Sequence, residues 1–192
     1  MKTIVFLLEE PSAQDALQGF LPTVLPPDVT AKYLVFEGKQ DLEKRLARSI
    51  RGWLTPGSAF VVLRDQDSGD CRIVKEKLVA LCCEAGKPDA VVRIACKTLE
   101  SWFVGDWDSV GTAFGLPKLA KLKRKAIYQE PDRLGDPVNE LRKFIPEYQK
   151  RDGARRISPL LNQESNRSRS FQVFVDAIQR LVGSDGHSSS KD

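Results

Sequence analysis

The chain has a single histidine, His187, and it stands in the polar C-terminal stretch GSDGHSSSKD. One imidazole in such a tail excludes a Ser-His-Asp triad, a Cys-His pair, a histidine-metal nuclease site and a zinc hydrolase site. Cysteine is also scarce. Cys71, Cys82, Cys83 and Cys96 form no CxxC pair and show no zinc-like spacing. Cys82 and Cys83, adjacent in an apolar helical context, are expected as reduced, buried thiols. Long apolar runs are missing. No segment approaches the roughly 18 residues that span a bilayer. The opening MKTIVFLLEEPS is broken at Glu9 and Glu10, too early for a signal peptide and without a small-residue cleavage site. A cytoplasmic location with no membrane partner is the expectation. Neither sign of charge dominates, and a net charge of +4 does not by itself imply a nucleic-acid partner. Catalysis by this chain would therefore rest on carboxylates, lysines and a hard metal ion.

What is present reads as alternating strands and helices. Thr3–Leu8 is a continuous apolar run of strand length, as expected for a strand buried on both faces. A helix follows to about Phe20, with Ser12 the expected N-cap. Lys32–Phe36 and Ala59–Leu63 read as the second and third strands, Asp41–Trp53 as the helix between them. Arg72–Ala85 reads as a third helix and Ala90–Ala95 as a fourth strand. Four βα units in succession predict a largely parallel sheet covered by helices on both faces. The pattern changes after Glu100. Residues 132–149 look helical but carry several prolines, and Ser170–Val182 is a clear amphipathic helix. We divide the chain into an α/β domain over 1–110, a helical extension over 111–183 and a disordered tail over 184–192.

Acidic residues fall at the ends of these strands, where ligands bind in open parallel sheets. Glu9 and Glu10 follow the first strand, Asp65 and Asp67 the third, and Glu100 lies past the fourth. Clustered oxygen ligands of this kind suit magnesium or manganese. Alone, DQDSGD also reads as a polar βα loop with a helix cap, and Glu9 as a carboxylate favoured by a helix dipole.

Two segments, LLEEPSAQDAL and VVLRDQDSGD, resemble the Toprim pattern of topoisomerases, primases and OLD-family nucleases. That pattern has a glutamate after the first strand and a DxD after the third. Glu10 stands where the pattern has glycine, so either Glu9 or Glu10 is the ligand. FEGKQDL offers a competing glutamate, Glu37, but lies one βα unit too near Asp65. EEPSA, GKQDL, LRDQDSGDC, ESWFVGD and SFQVF together resemble an uncharacterised bacterial family, a "domain of unknown function" often encoded beside ABC- or AAA-type ATPases in arrangements like phage-defence modules.

The resemblance implies a Toprim-like fold and a magnesium- or manganese-dependent nuclease controlled by an ATPase partner. Glu9 (or Glu10 in its place), Asp65 and Asp67 would hold the metal, with Asp70 or Glu100 completing a second position. Lys97 would neutralise charge on the phosphate. Lys39, Arg64, Lys121, Lys123, Arg124, Arg155 and Arg156 are the candidate nucleic-acid contacts, although 118–125 also reads as a solvated helix face. Trp102 and Trp107 read as core more than as base-stacking rings. Two rivals stand beside this reading. One is a haloacid-dehalogenase-type phosphatase, which shares the DxD and a later acidic motif that GDWDS resembles. The other is a non-catalytic regulatory subunit of a partner ATPase. Oligomeric state is not legible, and a homo-oligomer is compatible with the sequence.

Overall fold

The computed structural model of the protein describes residues 2–183. The tail expected over 184–192, His187 included, lies outside the described residues. Four strands form one parallel sheet: β1 Lys2–Leu8, β2 Val29–Val35, β3 Ala59–Asp65 and β4 Val91–Ala95, in the order β2-β1-β3-β4. Helices α1 Pro11–Phe20, α2 Lys39–Arg51 and α3 Cys71–Glu84 make the crossovers.

Strand alternation sorts the core into two halves, because successive side chains of a strand face opposite sides. Val5 and Leu7 of β1, with Phe60 and Val62 of β3, pack against Leu42, Leu46 and Ile50 of α2 and Leu78 of α3. Ile4, Phe6 and Leu8, with Val61 and Leu63, face α1 and everything that follows β4. That second layer contains α4 Glu100–Val104, α5 Trp107–Ala113, α6 Pro137–Arg142, α7 Lys150–Ile157 and α8 Arg169–Gly183. Leu122, Leu141, Ile157, Phe171 and Phe174 belong to the same apolar cluster as β1, so residues 111–183 cover one face of the sheet. Each such fully buried Leu or Phe contributes about 1.5–3 kcal/mol. Trp102 and Trp107 are buried in this layer, and the Trp102 indole N–H donates to Ser170 Oγ. Among the described residues, no helix is long and apolar enough to cross a membrane.

Several local expectations need correction. Glu10, not Ser12, is the N-cap of α1, because Pro11 takes the first helical position, where its missing N–H costs nothing. Ser12 is buried inside the first turn, and its hydroxyl donates to Glu10 Oε1. β3 runs two residues further than its apolar run, to Asp65, since it keeps pairing with β4 as far as Ala95. Cys82 is buried but Cys83 is exposed, one position round α3. The stretch 132–149 is not one helix. Pro137 opens the short α6, which ends at Arg142, Pro146 follows in a turn, and α7 begins only at Lys150. The basic segment Pro117–Arg124 is a 3-10 helix with Leu119 and Leu122 buried.

Candidate functional site

The strand order decides where the acidic residues meet. From β1 the chain crosses to β2 on one side and returns to β3 on the other. The boundary between β1 and β3 is thus the topological switch point, where open α/β sheets bind ligands at their carboxyl ends. Leu8 pairs with Leu63, so Glu9 and Glu10 emerge beside Arg64 and Asp65. Glu9 Oε2 accepts the Asp65 backbone N–H at 3.2 Å, tying the two strand ends together.

Alternation then divides the neighbours. Arg64 points toward α2, is nearly buried, and bonds Glu43 at 2.5 Å, with Glu9 at 3.7 Å. Lys77 of α3 holds the other Glu43 oxygen. Arg64 is therefore committed to an internal ion-pair network and does not present a surface for nucleic acid, contrary to the expectation. Asp65 faces the opposite way, into the layer that carries Glu10, Glu100 and Lys150. Burial raises its carboxyl pKa well above the usual range, Glu100, Glu10 and Glu9 add to the rise, and Lys150 opposes it.

Glu100 opens α4 and is fully buried, and neither carboxylate oxygen makes a hydrogen bond of good geometry. Burial raises its pKa, with Lys150 the strongest opposing influence. Glu9 is raised by burial and then by Asp67, against the Asp65 N–H and Arg64. Asp67 lies in the following loop with φ +55°, and Lys39 bonds it at 3.0 Å. Lys97 also has positive φ. Its N–H donates to Gln66 Oε1 and its carbonyl accepts from Asp67 N–H, so it braces the DxD loop through its backbone.

Sequence reasoning missed Lys150. Its ammonium lies 3.0 Å from Glu10 Oε1. Burial draws its pKa down, but Glu100, Glu10 and Asp65 outweigh that and hold it above the ordinary lysine range. A signal for it did exist. Lys150 shares the i, i+3, i+4, i+7 stripe of α7 with Gly153, Ala154 and Ile157, all buried, and a lysine on an apolar stripe calls for a carboxylate. Tyr148, two residues earlier and also buried, turns its hydroxyl toward Glu100 without a well-formed bond.

The other predicted residues lie elsewhere. Asp70 caps α3, its Oδ1 accepting the N–H groups of Arg72 and Ile73, so its charge serves the helix. Lys123 pairs with Asp108 at 2.6 Å, whereas Lys121 and Arg124 are exposed. Arg155 joins Arg151 on Asp15 of α1, and Arg156 stacks over Phe114 and donates to the Ala113 carbonyl. In GDWDS, Asp106 is buried as the N-cap of α5 and also accepts from Asn162 N–H. Of the two acidic residues in that motif, Asp106 therefore caps α5 and Asp108 pairs with Lys123.

The arrangement can hold a hard cation in chemical terms. Acceptor-only oxygens from three chain segments face one another, and three of the carboxyl groups, Glu9, Asp65 and Glu100, are destabilised as anions. Among the described residues, no three acidic, thiol or imidazole groups converge closely enough to hold a metal as they stand. A model of the domain of unknown function DUF4276 matches residues 8–179. Neither the curated proteins nor the solved structures contain a match.

Proposed function

The chain belongs to the DUF4276 family, and we propose that it is a metal-dependent nuclease with a Toprim-like site at the junction of β1 and β3. The observation that carries this reading is the meeting of Glu9, Glu10 and Asp65 at the switch point, next to a buried Glu100 carboxylate that makes no hydrogen bond of good geometry and has Lys150 as its main opposing charge. Buried carboxylates at such density are costly unless a cation compensates them. Glu9, Asp65 and Asp67 would hold magnesium or manganese, with Glu10 and Glu100 behind them. Bound there, the ion would polarise a phosphoryl oxygen and acidify a water molecule.

The chain's own residues do the rest. Arg64 and the Asp65 N–H fix the Glu9 carboxylate. The Gln66–Lys97 and Asp67–Lys97 hydrogen bonds hold the DxD loop against the end of β4. Lys39 and Lys150 bring positive charge to the rim, where they attract a phosphodiester backbone through charge alone. In this reading an ATPase partner controls the nuclease.

The test is cleavage of plasmid DNA, single-stranded DNA and total tRNA with manganese or magnesium, with and without an ABC- or AAA-type ATPase as the proposed partner. Wild type is compared with Asp65→Asn. Cleavage that disappears in the variant supports the reading. No cleavage in any combination, with metal bound and the ATPase complex intact, overturns it in favour of a regulatory subunit.

A further inference from the structure

Lys150 comes to the acidic site from a distant part of the chain. It is the first residue of α7, which packs along α1, and its stem lies on the helix's buried stripe. The ammonium bonds Glu10 at 3.0 Å and faces Glu100 and Asp65 as further electrostatic partners. Three carboxylates against one ammonium leave the pocket formally negative. Glu100 is the decisive member: wholly buried, facing Lys150, and without a hydrogen bond of good geometry on either oxygen. A buried carboxylate left so is an incomplete arrangement, because desolvation is costly and the Lys150 charge, with the poorly aligned Tyr148 hydroxyl, repays it only in part.

We propose that Lys150 is a displaceable counter-ion, held by Glu10, Asp65 and Glu100, that gates binding of a divalent cation at the strand-end site of Glu9, Asp65 and Asp67. The gating rests on the metal reading of the strand ends given above. At equal distance a divalent ion attracts each carboxylate twice as strongly as an ammonium does. The lysine's side chain is about one-third exposed (36%), so it has a path to solvent. Lysine suits the part better than arginine, being a point charge on a flexible stem rather than a rigid fork. Lys39 on Asp67 is more exposed and meets a single carboxylate, so its release carries less consequence.

Manganese binding to the full chain, followed by calorimetry, tests the gate. Lys150→Met keeps the stem and removes the charge, and manganese should bind it about tenfold more tightly than wild type. Adding Glu100→Gln to Lys150→Met should cancel that gain. A second measurement needs no variant: acetylation of Lys150, read by mass spectrometry, should be slow without manganese and faster with it. Equal manganese affinity in wild type and Lys150→Met, with unchanged acetylation, overturns the gate. If Asp67→Asn abolishes binding while Lys150→Met leaves it unaltered, the metal site stands and the gate alone fails. If manganese binds no form of the protein, both fail.

Discussion

The Lys150 ammonium sits 3.0 Å from the Glu10 carboxylate, 140 positions away in sequence. This contact joins α7 to the end of β1 and places a cation among groups that would otherwise repel one another. Its consequences are both energetic and functional.

Asp65→Asn should stabilise the metal-free protein. Burial, Glu100 and Glu10 all raise the Asp65 pKa above its ordinary 3.8. A carboxyl whose folded pKa is raised contributes stability that is complete below the unfolded value and is lost as pH rises through the folded one. Asparagine cannot ionise and escapes that loss. Denaturation should therefore show Asp65→Asn more stable than wild type by about 1–3 kcal/mol near pH 8, the gap closing toward about pH 4. Glu100→Gln should behave in the same sense.

Asp67 separates backbone from charge. Its φ of +55° suits Asn, Asp or Gly and penalises other side chains. Asp67→Ala should lose about 1 kcal/mol of stability, while Asp67→Gly should fold at least as well as wild type. Both should lose metal-dependent cleavage. Activity retained in Asp67→Gly would remove Asp67 from the metal site.

Arg64→Met should cost about 2–3 kcal/mol in urea unfolding. It strips Glu43 and Glu9 of a buried partner, with Lys77 compensating only in part. Nucleic-acid affinity of the folded variant should be unchanged, because the guanidinium is enclosed.

Gly153→Ala should disturb the site without touching a carboxylate. A Cβ at 153 would stand 2.2 Å from Tyr148 Cε2, so the ring must move. We expect a loss of about 1–3 kcal/mol by overpacking. Lys150 lies two residues beyond Tyr148, so its rate of acetylation in the metal-free protein should rise as well. A stability loss with Lys150 reactivity unchanged would show that Tyr148 does not position it.

The sequence by itself determined the four strands, the parallel α/β class and the acidic strand ends. Those features are local: apolar runs of strand length and carboxylates next to them depend on neighbours a few residues away. The lone histidine likewise narrowed the chemistry without any structure. Only tertiary structure decided which carboxylates meet. Placing β1 beside β3 brought Glu9 to the Asp65 N–H, and strand alternation sent Arg64 to α2 and Asp65 to the opposite face. Asp70 illustrates the limit in one loop, since metal ligand and helix cap have the same sequence signature and only the α3 N–H groups choose between them. Lys150 illustrates it across the chain. Helical periodicity marked it as a charge on a buried stripe, but its carboxylate partners were supplied by the β1–α1 junction, the end of β3 and α4, through packing that no local pattern encodes.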